Sequence, residues 1–107
     1  MSEDSTLDGY LRLHDRAPAF GGADSAAYSV AVYVDDAPGP DGRFGAALLF
    51  VRWSPAGDQP AGHLETDYLA FGATPAEAEE RVRSLTLYQV KDHLDRLIAR
   101  AKELPAW

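Results

Sequence analysis

Three side chains in this sequence are spaced for shared chemistry: His63, Glu65 and Asp67, which alternate along one face of an extended run. Same-face positions on a strand lie about 7 Å apart, so an imidazole and two carboxylates there can share a divalent metal or divide a proton transfer. A strand face bathed in water shows the same alternation, and an ion also needs ligands from a third element. His14-Asp15-Arg16 offers an anion site or an oriented imidazole; a solvated turn accounts for it equally well. Asp35 and Asp36, with Asp41 and Gly42 beyond the Pro38-Gly39-Pro40 step, lack the Asp-x-Asp-x-Asp-Gly spacing of a calcium loop and read as turn chemistry. Arg52 shares a face with Phe44 and Phe50, so it either pairs with a carboxylate, Glu65 or Asp67 on a neighbouring strand, or snorkels at a strand end. His93, beside Asp92 and Asp95, reads as helix surface. No Gly-x-Ser-x-Gly, Walker, dinucleotide, His-Glu-x-x-His or RNA-binding aromatic motif occurs, so no catalytic residue and no cofactor is assigned.

Composition narrows the classes. A chain of 107 residues with 25% charged side chains is of single-domain size and can bury one core unaided. It has no cysteine, which removes disulfides, thiolate metal sites and thiol nucleophiles and suits a reducing cytoplasm. The acidic start, Met1-Ser2-Glu3-Asp4-Ser5, lacks the apolar core of a signal peptide. The longest apolar run, Phe44 to Val51, is too short to span a bilayer, so no membrane partner is expected. Residues 75–103 carry six acids and six bases, which places the whole formal charge of -7 in residues 1–74. The only bases there are Arg12, Arg16, Arg43 and Arg52, too few and too scattered for a phosphate-binding patch. Nucleic acid is not an expected partner.

Periodicity then places the elements. Gly9 to His14 alternates, with Leu11 and Leu13 on one side, and reads as a short edge strand within an N-terminal arm, residues 1–26. Phe20 is expected to tuck into the domain, although Ala17 to Gly22 reads as a break. Ala27 to Asp35 is a strand with Tyr28, Val30, Val32 and Val34 on one face. Arg43 to Trp53 is apolar on both faces, as a central strand covered on both sides would be. His63 to Phe71 is a third strand, and short connections favour antiparallel pairing.

Thr74-Pro75-Ala76-Glu77 has the chemistry of a helix start: a capping hydroxyl, proline at the first helical position and an acid three residues on. Beyond it the apolar stripe changes direction. Ala78, Val82 and Leu85 form one line; Leu87, Val90, Leu94, Leu97 and Ile98 form another, turned by roughly 150°. The switch coincides with a second capping box, Thr86 and Gln89, flanked by Leu85 and Val90 as its hydrophobic staple. Either the helix breaks near residues 84–86, or one long helix presents a second face to a partner, most simply a second copy of the chain.

The run Gly72-Ala73-Thr74-Pro75-Ala76-Glu77-Ala78, placed after three antiparallel strands, resembles the HicB-like antitoxin fold, whose helix typically begins Gly-x-Thr-x-x-Glu-Ala. The likeness covers residues 27 to about 100. Ser54 to Gly62 departs from the family's Pro-Gly segment, and the residues up to Trp107 leave no room for the DNA-binding domain that many members append. The resemblance implies a non-catalytic module that binds another protein, and no functional residue is carried over from it.

The expected fold is α+β: three antiparallel strands, or four with residues 9–14, packed by the helical segment at 75–103, with residues 27–107 as the single domain. The expected function is a small cytoplasmic, non-catalytic interaction module that forms a homodimer or binds another protein through Leu87, Val90, Leu94, Leu97 and Ile98. The alternative is a metal-dependent or small-molecule enzyme built on His63, Glu65 and Asp67.

Overall fold

Alternation in the two longest strands decides which way the sheet faces. In the computed structural model, which describes residues 6–14 and 19–102, β2 (Ala27–Val34) and β3 (Phe44–Trp53) pair antiparallel from Ala27↔Trp53 to Val34↔Ala46. The even-numbered side chains Tyr28, Val30, Ala46, Leu48 and Phe50 are buried together; the odd-numbered ones point to the opposite face. The short strand β1 (Ala19–Gly21) pairs with β2. On the far side β3 pairs with both β4 (Pro60–Glu65) and β5 (Ala70–Gly72), giving five antiparallel strands in the path β1-β2-β3-β4 with β5 also on β3. The α+β architecture read from the sequence is the observed one.

Three helices cover the even face. The helix α1 (Leu7–His14) precedes the sheet, and α2 (Pro75–Arg83) and α3 (Leu87–Lys102) follow it. Thr74 caps α2 by accepting the Glu77 N–H at 3.1 Å, with Pro75 at the first turn. The Glu77 carboxylate does not close the box; it pairs with Arg81 at 2.8 Å. Of the two readings of residues 84–86, the break is the one found. Thr86 Oγ1 accepts the Gln89 N–H at 3.0 Å, while Gln89 Oε1 accepts the Thr86 N–H at 2.9 Å. The reoriented α3 lays its stripe on the same core. Val90 and Leu94 are fully buried, Ile98 is 4% exposed, and Leu87 and Leu97 pack against them. Val90, Leu94 and Ile98 therefore serve the chain's own interior, with Leu87 and Leu97 half-buried beside them.

The N-terminal segment corrects a second expectation. Residues 9–14 belong to a helix, not to an edge strand. Thr6 caps that helix by accepting the Gly9 N–H at 3.0 Å, and Asp8 bridges Arg12 and Arg83, each at 2.9 Å. Leu7 and Leu11, one helical turn apart, set its apolar side; Leu7 is 1% exposed, and its N–H donates to the Leu85 carbonyl at 2.8 Å. The segment is thus part of the common core and clasps the α2–α3 elbow. The edge strand exists further on, at β1, where Phe20 sits opposite Tyr28 and packs on the core. His14 stacks on Tyr10 with ring centroids 4.3 Å apart; Asp15 and Arg16 of the His14-Asp15-Arg16 motif lie outside the described residues.

Candidate functional site

The single strand expected at 63–71 is interrupted, and the interruption builds the site. Pairing stops at Leu49↔Glu65 and resumes at Ala46↔Ala70, so Thr66 to Leu69 face only Ala47 and Leu48. The bulge would orphan the Leu48 N–H in the middle of the sheet, a costly loss. Thr66 prevents it: its N–H donates to the Leu48 carbonyl and its Oγ1 accepts the Leu48 N–H, both at 3.0 Å. The Leu69 N–H regains the Ala46 carbonyl at 2.8 Å. Between these anchors Asp67 and Tyr68 are thrown onto the odd-numbered face of the sheet.

Among the described residues no segment covers that face. It carries Leu49, Val51 and Trp53 along β3, half-buried, with Tyr33 and Tyr68 exposed at 45% and 44%. The expectation that β3 is covered on both sides is met on one side only. Trp53 lies over β2, its indole N–H donating to Ser29 Oγ at 3.0 Å. Tyr68 is fixed at two points. Its ring lies on the Gly45 backbone, where a Cβ would come within 2.6 Å of it, and its hydroxyl donates to Asp35 Oδ2 at 2.5 Å. The hydrogen bond to Asp35 raises the Tyr68 pKa, and the same bond with that from the Ala37 N–H lowers the Asp35 pKa. Phe71 meets Tyr68 edge-on at 5.7 Å and carries the Arg43 guanidinium over its ring.

Tyr33 on β2 and Tyr68 in the bulge stand on either side of Ala47, with Glu65, Thr66 and Asp67 closing one side of a depression of ≈ 430 Å³. His63 lies opposite Val51 and lines a separate shallow depression with Leu49, Pro60 and Glu65. Glu65 and Asp67 thus share a hollow that His63 does not enter. Among the described residues no group of three or more His, Asp and Glu side chains is placed to hold a metal ion. The trio does not assemble: Asp67 sits in the hollow with Tyr33 and Tyr68, whereas His63 lies further along β3 beside Val51.

Arg52 does find a carboxylate, but on the other face. The register sets Glu65 opposite Leu49 on the odd face, whereas Arg52 points to the even side, where Asp24 Oδ2 accepts from its Nε at 3.4 Å and from the Tyr28 hydroxyl at 2.8 Å. Burial pushes the Asp24 carboxyl up, yet hydrogen bonds from Tyr28, the Ala26 N–H and Arg52 outweigh it and leave the pKa below 3.8. Burial, reinforced by Asp24, pushes the Tyr28 phenol up to about 12. This cluster ties the β1–β2 turn to the end of β3 and is structural.

Charge separates the two sides of the molecule. On the helical side Arg12, Arg81, Arg83, Lys91 and Arg96 each lie within 4 Å of a carboxylate. On the sheet side no described cation pairs with Glu65 or Asp67. The residues that sequence reasoning missed are Tyr33, Ala47, Thr66 and Tyr68. The signal for them was the polar run Glu65-Thr66-Asp67 inside an otherwise apolar strand, which reads as exposure unless the register is known. Among the described residues no helix is long and apolar enough to cross a membrane. Comparison with known protein families, with characterised proteins and with solved structures finds no match.

Proposed function

We propose that this chain is a non-catalytic protein-interaction module whose docking surface is the odd-numbered face of its sheet. One observation carries the reading: a sheet face with a half-buried apolar row, Leu49, Val51 and Trp53, and two exposed tyrosines, over which no described segment lies. Aromatic anchors around an apolar centre, with charge at the rim, are the composition of a protein interface. The resemblance of residues 72–78 to the HicB-like helix start points the same way. The acidic sheet side disfavours phosphate polymers, and the lack of cysteine suits a reducing cytoplasm.

The partner is a different protein rather than a second copy. Two such faces packed together would gather four carboxylates, Glu65 and Asp67 from each copy, in one contact, and like charges gathered there are a cost. A photocrosslinker at position 51 tests the proposal, with position 96 on the helical side as the control, in cells that express the protein. A discrete hetero-adduct from position 51 alone supports it. No adduct, equal adducts from both positions, or an adduct only with a second copy would refute it.

A further inference from the structure

Within that face the hollow between Tyr33 and Tyr68 has its own chemistry. Its floor is Ala47, a methyl group between two phenols that stand on adjacent sheet positions. Two of its lining residues are tyrosines, and its rim carries two carboxylates, Glu65 and Asp67, that no described cation neutralises. Aromatic faces attract cations through their quadrupole, and carboxylates supply the counter-charge. Tyr68 is held before any ligand arrives, by the Gly45 backbone beneath its ring and by Asp35 at its hydroxyl, so little freedom is lost on binding. Thr66 is likewise locked by its two bonds to Leu48. Apolar contacts alone leave the two carboxylates unexplained, and a metal site leaves the two phenols unexplained.

We infer that this hollow is a receptor for an arginine side chain of the partner protein, its guanidinium lying between Tyr33 and Tyr68 and pairing with Glu65 and Asp67. A guanidinium is planar, stacks on aromatic rings and pairs with carboxylates through a fork of donors; a lysine ammonium offers only a point charge. The inference rests on the sheet face being the docking surface, and it adds the chemistry that the docking partner must present.

The test is a titration of the ¹⁵N-labelled chain with N-acetyl-arginine amide, followed by amide chemical shifts. Shifts confined to Tyr33, Ala47 and Thr66 to Tyr68 are expected, with the lysine analogue weaker. Ala47→Leu fills the floor and should weaken binding about tenfold. The pair Glu65→Gln with Asp67→Asn lies at the exposed rim, keeps the fold, and should weaken binding by a similar factor. Shifts scattered over Asp36, Asp41 and Asp58 would overturn the inference, as general attraction to an acidic surface. Equal binding by N-acetyl-norleucine amide would also overturn it, as would an absence of localised shifts. A hetero-adduct at position 51 combined with any of these failures removes the arginine receptor and leaves the docking face standing.

Discussion

Leu94→Ala separates a residue of the core from a residue of an interface, the two roles between which the sequence is divided. Leu94 is fully buried in the α3 stripe, beside Val90 and Ile98. Truncating a buried leucine forfeits its transfer free energy and leaves a cavity, together about 3 kcal/mol. Unfolding entropy for a chain of this size is about 0.22 kcal/mol per kelvin, so the melting temperature should fall by about 13 °C. Urea unfolding at two protein concentrations, tenfold apart, is the deciding assay. An intramolecular core residue gives the same loss at both concentrations; an interface residue gives a midpoint that moves with concentration. Tyr88, 85% exposed on the same helix, is the internal control, and Tyr88→Ala should stay within about 0.5 kcal/mol of wild type. A Leu94→Ala protein that unfolds like wild type, or a midpoint that shifts with concentration, would refute the placement of this stripe in the chain's own interior.

Thr66→Val keeps the shape of the side chain but leaves the buried Leu48 N–H without its acceptor; urea unfolding should show a loss of about 1–3 kcal/mol. Thr86→Ala removes the elbow cap and should cost about 1 kcal/mol, with loss of helical circular dichroism preceding that of the tyrosine environment if the elbow frays first. The Asp24–Tyr28 pair predicts opposite pH limits. Asp24 has a folded pKa below 3.8, so its stabilisation is present above that value and is lost as pH falls through the lower folded pKa; Asp24→Asn should flatten this acid limb in urea midpoints. Tyr28, raised from 10.0 to about 12, contributes stability that is complete below pH 10.0 and disappears towards pH 12, and ultraviolet titration should show two late tyrosines, Tyr28 and Tyr68. Gly45→Ala places a Cβ against the Tyr68 ring; the ring must leave Asp35, and the raised Tyr68 pKa should return towards its ordinary value in an NMR titration.

Local chemistry was legible in the sequence wherever it was self-contained. The cap at Thr74, the second box at Thr86 and Gln89, and the turn of the apolar stripe between them are written within a few residues, and together they place the elbow. The alternation of Tyr28, Val30, Leu48 and Phe50 is equally local. What depends on register was not legible. Leu11 and Leu13 suggest a strand by alternation, whereas Leu7 and Leu11 suggest a helix by spacing; the docking of Leu7 at the elbow decides, and that contact is between residues far apart in the chain. Arg52 was assigned the wrong carboxylate because Asp24 reaches it only through the turn that joins β1 to β2. The hollow was hidden for the same reason. Tyr33 and Tyr68 are neighbours only because β3 lies between their strands and because Thr66 to Leu69 interrupt the third.

That interruption has an arithmetic consequence. Four residues, Thr66 to Leu69, stand where an unbroken strand would need two, opposite Ala47 and Leu48. The surplus is even, so Leu64 before it and Ala70 after it both point to the helices, whereas a single extra residue would have turned β5 inside out. The interior is therefore blind to positions 67 and 68, provided Thr66 keeps its hold on Leu48 and Leu69 its place against the core. Positions 67 and 68 form an exchangeable cassette set into a fixed register: substitutions there can rewrite what the sheet presents without repacking a core side chain.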